Sequence, residues 1–285
     1  MGARRVRRSL QGKHVLITGA SGGIGGALAR QFAQRRSARL VLVDRDAAAL
    51  AAIARELCEG DRGVDVEQHV VDITQPEQVA ELALRLSGAP IDVLVNCAGI
   101  AMVGPFSTMP FADVEAVLSV DLVATMRFTH ALLPLVRRGS WACVVNMASA
   151  AGLAAPGGLA AYAAAKFGVV GFSQALRIEL RREGIDVVCV CPAFVRTALL
   201  RNSGRRSSAP DQAIERMHAL MQRAGRSTDS VARRTCRAIE RNEGLVVMEL
   251  WVRAVLGMML YTPFAAERVG GVVYQGLSRM GAFGR

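Results

Sequence analysis

The amino-acid sequence predicts an α/β fold, a doubly wound parallel sheet flanked by helices, with residues 12–249 in one domain. Three observations carry this expectation. Short apolar runs of strand length alternate with longer helical patterns along most of the 285 residues. A glycine-rich turn joins the first strand to the first helix, and the second strand ends in an acid about twenty residues beyond that turn. A chain of this length buries a large core in one unit, and the order of its motifs leaves little room for a second.

Residues 1–11 read as a basic tail: Met1 to Leu10 holds four arginines, a pattern of mobile chain, with contact to an anionic membrane surface as the alternative. His14 to Thr18 is a buried strand that runs into Thr18-Gly19-Ala20-Ser21-Gly22-Gly23-Ile24-Gly25 and then a helix over Ala27 to Arg35. Glycines at 19, 23 and 25 let the backbone turn tightly and approach a pyrophosphate seated on the helix N-terminus, with Ser21 and Ile24 in the same turn. The second strand, Leu40 to Asp44, places a carboxylate where it accepts hydrogen bonds from an adenosine ribose. That favours NAD, since Asp44 repels a 2′-phosphate. Arg45 follows directly and keeps NADP open, because a guanidinium pairs with phosphate if Asp44 turns away.

Strands follow at Ile91 to Val95, Ala142 to Met147, Asp186 to Cys191 and Leu245 to Met248, with helices over Leu159 to Gly171 and Asp229 to Arg241. The chemistry concentrates between Ser149 and Lys166. Tyr162 and Lys166 stand four apart and project from one helix face. An ammonium about 4 Å from a phenol at an effective dielectric of ~20 favours the phenolate by ~4 kcal/mol, about 3 pKa units. Tyr162 is then expected to titrate near neutrality, where it exchanges a proton with an alcohol or carbonyl oxygen. Ser149, at the end of an apolar strand, is placed to hold that oxygen.

From Gly12 to Val247 these residues resemble the short-chain dehydrogenase/reductase family, with its TGxxxGxG and YxxxK motifs and Rossmann fold. The resemblance implies further roles. Asp72-Ile73 matches the pair flanking the adenine, and Asn96-Cys97-Ala98-Gly99 is similar to NNAG with Cys in its second position. Asn96 is then a cofactor-side residue whose part is mainly structural, beside Ala98 and Gly99 near the ribose. Met147-Ala148-Ser149 resembles ISS. Pro192-Ala193-Phe194-Val195-Arg196-Thr197 resembles PGxVxT, so Pro192, Val195 and Thr197 meet the nicotinamide end. Relatives carry Asn where Asp121 stands, its backbone carbonyl holding a water that links the lysine to solvent. A carboxylate there adds a negative charge near Lys166 and tunes Tyr162.

The same resemblance makes 198–228 the substrate lid, read here as polar, Arg-rich and loop-like with a short helix over Ile214 to Arg223. It also implies a homodimer or homotetramer, with the helices around Asp121 and Tyr162 in contact. Arg177, Glu179, Arg181 and Arg182 line the later turns of the Tyr162 helix and are expected to be solvated. The substrate wall, Ala154 to Ala160 with Phe194 and the lid, is small or apolar, so a lipophilic alcohol or carbonyl is expected. The implied activity is NAD(P)-dependent alcohol–carbonyl oxidoreduction. The alternative is a cofactor-binding scaffold or redox sensor with little turnover, prompted by Asp121 and the altered NNAG.

Net charge is +11, almost all from arginine, since Lys13 and Lys166 are the only lysines. No motif or basic–aromatic interleaving points to nucleic acid. Cysteines at 58, 97, 143, 189, 191 and 236 lack metal-site spacing and read as small buried hydrophobes, so no metal is expected. With no signal-peptide pattern before the first strand, the expectation is a cytoplasmic protein. Residues 250–285 are expected to form an amphipathic C-terminal extension. Its apolar run Leu250 to Phe264 is interrupted by Arg253 and is too broken to span a bilayer. It covers the cleft or another subunit, or rests on a membrane.

Overall fold

Alternating strands and helices build a seven-stranded parallel sheet in the order β3-β2-β1-β4-β5-β6-β7. The computed structural model describes residues 8–60, 64–202, 208–262, 264, 268, 271, 272, 274 and 275. The strands are β1 (His14–Thr18), β2 (Arg39–Asp44), β3 (Asp65–Val70), β4 (Val93–Asn96), β5 (Ala142–Met147), β6 (Ile185–Cys191) and β7 (Leu245–Val247). Successive side chains of a strand face opposite sides, and each side meets its own helices. Val15, Ile17, Val93, Val95, Val145 and Val190 pack under α1 (Gly23–Gln34), α2 (Ala47–Glu59) and α9 (Thr228–Arg241). Leu16, Val41, Leu94, Val144 and Val187 pack under α3 (Pro76–Arg85), α5 (Ala124–Val136) and α6 (Ala160–Leu180).

Both faces being covered explains why the central strands are almost wholly apolar. The edge strand β3 is mostly polar instead, with no buried residue, and its Glu67 pairs with Arg39 and His69. Strand order reverses between β1 and β4, so the loops leaving these strands diverge and open a crevice at their carboxyl ends. Helix α4 (Phe111–Leu118) passes into α5 through a π-helical turn, Ser119–Val123, which carries Asp121. A helix with i→i+5 bonds bulges by one residue, and this one pushes its carboxylate towards the crevice. The apolar stretch Phe111–Val136 is long enough to cross a bilayer, but Phe128, Leu132 and Val136 are fully buried against the sheet.

Several expectations change. The tyrosine-bearing helix runs to Leu180 with Arg177 and Glu179 on its later turns as expected, while Arg181 and Arg182 lie in a 3-10 turn just beyond it. The lid region carries more helix than expected: the short helix over Ile214 to Arg223 lies within the longer α8 (Asp211–Ala224), and α7 (Leu199–Asn202) adds another; 203–207 lie outside the described residues. Arg177 is not solvated: its guanidinium donates to the carbonyls of Val187 and Asn242 and to Asn242 Oδ1, tying α6 to β6 and the end of α9. The tail does not stay free as far as Leu10, which is fully buried, while Arg8 pairs with Asp186 and lies over the Trp141 ring. Residues 1–7 lie outside the described residues. Cys58 is exposed and Cys97 only partly buried; the other four cysteines are buried. The C-terminal run forms α10 (Leu250–Tyr261), with Val252 buried beside β7 and Leu250 and Trp251 turned outward.

Candidate active site

A cavity of about 350 Å3 lies along the carboxyl ends of the strands, over the point where strand order reverses. Every catalytic and cofactor-side residue expected from the sequence lines it except Asn96, whereas Phe194 and Ala154 to Ala160, expected in the substrate wall, do not; Phe194 is exposed and stacks on Trp251. Gly19, Ser21, Gly23, Ile24 and Gly25 form its floor, Asp44, Arg45, Asp72 and Ile73 one end, and Ser149, Tyr162 and Lys166 the other. Ala98, Gly99, Asp121, Pro192, Val195 and Thr197 complete the wall between them. Asn96 sits beneath the wall instead, because its Nδ2 donates to Thr129 Oγ1 and Asn146 Oδ1, both at 2.8 Å. Sequence reasoning missed this buried network, which continues from Asn146 Nδ2 to Ser173 Oγ. The one legible signal was a polar Asn146 within an otherwise apolar strand.

The glycine turn has a specific reason for lacking side chains. Gly19 has φ +66°, and a Cβ there would stand 2.7 Å from Ala98 Cα. At Gly25 a Cβ would land on the Gly19 carbonyl oxygen. The turn therefore closes to a radius that only glycine permits. Helix α1 begins directly after it, with no side-chain cap and no acidic residue in its first turn, so its free N–H groups face the cavity as an anion seat. At the far end of the cavity, Asp44 Oδ2 accepts hydrogen bonds from Ser21 N–H at 3.0 Å and Ser21 Oγ–H at 2.6 Å. Asp44 Oδ1 accepts from Asp46 N–H at 3.2 Å. The carboxylate is thus held towards the cavity, while the Arg45 side chain is exposed.

At the opposite end, α6 presents Tyr162 and Lys166 from one face. Lys166 is buried; its Nζ donates to the Met147 carbonyl at 3.1 Å, pairs with Asp121 Oδ2 at 2.9 Å, and lies 5.6 Å from the Tyr162 ring centre. Asp121 is 1% exposed, and its Oδ1 accepts from Ile100 N–H at 2.8 Å. Ser149 is buried at the end of β5, accepts from Ala151 N–H at 3.1 Å, and shares a hydrogen bond with the Tyr162 hydroxyl.

The expected downward shift of the phenol is overturned. Burial pushes Tyr162 above its ordinary value; the Lys166 charge and the Ser149 hydrogen bond oppose this, and Asp121 adds to it. Burial also raises Asp121, against the pull of Lys166. Lys166 is pushed up because Asp121 and Tyr162 together outweigh its burial. The pairwise estimate from helical spacing failed chiefly because it left out the burial of the phenol, and also because it counted one charge where the fold supplies two of opposite sign.

Beside the tyrosine the wall is apolar. Ala101, Val103, Leu200, Ala209, Ala213 and Ile214 form a cluster joined by Leu159, Tyr162, Leu199, Met217, Met221 and Tyr274. Tyr274 comes from the C-terminal extension, and its ring covers Gly157 so closely that a Cβ at 157 would overlap it. No local pattern marked this contact, since 117 residues separate the two positions in the chain.

A family model described as short chain dehydrogenase matches residues 13–208. Among relatives, the SadH protein of Mycobacterium tuberculosis is 34% identical over 256 residues, covering 87% of this chain and 90% of that protein. D-beta-hydroxybutyrate dehydrogenase of Rhizobium meliloti is 31% identical over 208 residues, covering 72% of this chain and 78% of that protein. A short chain dehydrogenase/reductase from Burkholderia phymatum, solved in complex with NAD, matches with a TM-score of 0.79 at 27% identity, over 88% of this chain and 94% of that one. A short-chain dehydrogenase from Sphingobium yanoikuyae, solved in complex with NADPH, matches with a TM-score of 0.72 at 30% identity, over 92% of this chain and 95% of that one.

Proposed function

The chain belongs to the short-chain dehydrogenase family, and from that premise we propose that it interconverts an alcohol and a carbonyl with a nicotinamide cofactor. The observation that carries this reading is the convergence of Ser149, Tyr162 and Lys166 at one end of a cavity whose floor is a glycine turn and a helix N-terminus. The donor set fits a dinucleotide: free N–H groups for the phosphates, the Asp44 carboxylate for a ribose diol, and the Lys166 ammonium beside Tyr162 for the second ribose. Bound there, the nicotinamide supplies the site that gives or takes a hydride.

The chain's own residues do the rest. Ser149 donates a hydrogen bond to the substrate oxygen and fixes it within reach of the phenol. Tyr162 gives its proton to that oxygen in reduction and takes one in oxidation. Lys166, anchored by the Met147 carbonyl, holds its ammonium beside the phenol and limits the cost of a developing phenolate. Asp44 supports NAD over NADP, because three hydrogen bonds hold its carboxylate in the cavity lining, where its charge would repel a 2′-phosphate. The apolar cluster around Tyr162 supports a lipophilic substrate.

The test is turnover by the purified chain with NADH or NADPH against a panel of lipophilic ketones and aldehydes, and with the oxidised cofactors against the corresponding alcohols. Tyr162→Phe should lower kcat by about a hundredfold or more and leave cofactor affinity within a few-fold. Full activity in that variant would overturn the mechanism, and binding of neither cofactor would favour the scaffold reading. A second copy of the chain is proposed to cover Phe167 and Ile178, eleven residues apart on one face of α6, together with Val123 and Met126 of the neighbouring helix. A purely monomeric species in sedimentation velocity would refute that contact.

A further inference from the structure

Beneath the proposed acid/base group lies a buried cation–anion pair whose anion, Asp121, has no part in the reaction as described. Lys166 is 5% exposed and Asp121 1%, and their charged atoms stand 2.9 Å apart. Neither partner is free to turn away. Asp121 is held by the Ile100 N–H through its other oxygen, and Lys166 by the Met147 carbonyl. The carboxylate reaches this position past Gly99, where a Cβ would stand 3.3 Å from Asp121 Oδ2 and 3.5 Å from Lys166 Nζ.

A buried cluster is most stable when its charges sum to zero, because net charge in a low-dielectric region carries a large solvation cost. With Asp121 ionised and Lys166 protonated, the sum is zero when Tyr162 is a neutral phenol. Were residue 121 uncharged, the neutral combination would be ammonium plus phenolate. We propose that Asp121 is the counter-ion that cancels the field of Lys166 at Tyr162, so that the resting site stores a proton on the phenol and stands ready to deliver it to a carbonyl oxygen. Asp121 is then a positioning residue, acting through Lys166. The mechanistic meaning rests on the reading of Tyr162 as the acid/base group; the electrostatics do not.

The other ionisable groups facing the pair do not alter the count. Cys97, at the end of β4, faces Lys166, and burial pushes its thiol up to about 12. Cys191, at the end of β6, faces Tyr162, and its contact with Cys189 together with burial pushes it up as well; the same contact pulls Cys189 down against its burial, with Lys166 only a minor contributor, so the two thiols exchange proton affinity mainly with each other. Ser149 faces Tyr162 from the end of β5 as a neutral hydroxyl. Asp44 stands nearer to Cys97 and the far end of the cavity. Burial raises Tyr162 in the same direction as Asp121 does.

The chain contains three tyrosines, Tyr162, Tyr261 and Tyr274, so the full-length protein labelled with 13C at tyrosine Cζ gives one resonance for each. The resonance lost in Tyr162→Phe identifies the one of interest. Its midpoint in the unliganded wild type should lie above the ordinary value of ~10. In Asp121→Asn it should fall by ~1–2 units, and in Asp121→Glu, which keeps the charge, it should stay within half of that fall. Far-UV circular dichroism checks that each variant is folded. Equal midpoints in the wild type and a folded Asn variant overturn the proposal, as does a Glu variant that shifts as far as the Asn one. A wild-type midpoint below ~10 overturns it whether or not any variant folds. The titration uses neither substrate nor cofactor, so a failure of the proposed activity would leave its result unchanged.

Discussion

Replacing Asp44 tests how the cavity chooses its cofactor. The carboxylate accepts hydrogen bonds from Ser21 N–H, Ser21 Oγ–H and Asp46 N–H at 3.0, 2.6 and 3.2 Å. A 2′-phosphate could be admitted in two ways. Turning Asp44 away breaks the two bonds to Ser21, each worth ~1.5–3 kcal/mol when the acceptor is charged, for a total of about 3–6 kcal/mol. Leaving it in place sets a dianion roughly 5 Å from a carboxylate, which costs ~2–3 kcal/mol at the effective dielectric of about 40–80 suited to a partly exposed group. The second route is cheaper and sets the discrimination: NADH should bind about 30- to 150-fold more tightly than NADPH. Asp44→Ala removes the repulsion and should bring the two affinities within a few-fold of each other, Arg45 then being free to pair with phosphate. Ser21→Ala lowers only the cost of turning and should give an intermediate ratio. The assay is titration of each protein with NADH and NADPH, followed by nicotinamide fluorescence at fixed, moderate salt. Wild-type protein that binds NADPH as tightly as NADH would refute the reasoning, because the hydrogen-bonded carboxylate would then not be the selector.

Other outcomes follow from the same geometry. Gly25→Ala sets a methyl on the Gly19 carbonyl and should cost about 1–3 kcal/mol in urea-induced unfolding while weakening NADH binding at least tenfold; an unchanged affinity would mean that the turn is not the phosphate seat. Because Tyr162 is pushed up by burial, the phenol stays protonated through neutrality. kcat/KM for carbonyl reduction should therefore be flat from pH 6 to about 9 and fall above that range, while alcohol oxidation should rise into the alkaline range; an oxidation optimum at or below neutrality would contradict this. Removing the ring that covers Gly157, by Tyr274→Ala, should raise KM for the best lipophilic substrate by roughly tenfold, the equivalent of ~1–2 kcal/mol of lost apolar contact, with kcat for a small ketone little changed. Equal KM values would remove the C-terminal extension from the substrate wall.

Much of the fold was legible because its signals are local. Buried parallel strands are continuous apolar runs, a glycine turn joins strand to helix within eight residues, and a four-residue spacing puts Tyr162 and Lys166 on one helix face. These features follow from backbone sterics and periodicity, which a short window of sequence contains in full. They determined the sheet, the crevice and the principal groups that line it. What they left open depends on atoms far apart in the chain. Asn96 turned from the cavity because Thr129 and Asn146 converge on it, and Arg177 left solvent because the carbonyls of Val187 and Asn242 were there to receive it. Tyr274 reached Gly157 only once the C-terminal extension had folded back. Above all, the proton affinity of Tyr162 reversed direction. A Coulomb energy depends on every nearby charge and on how much water remains around it; the resemblance anticipated Asp121 near Lys166, but the burial of the site and the direct contact of the pair were decided by the tertiary structure.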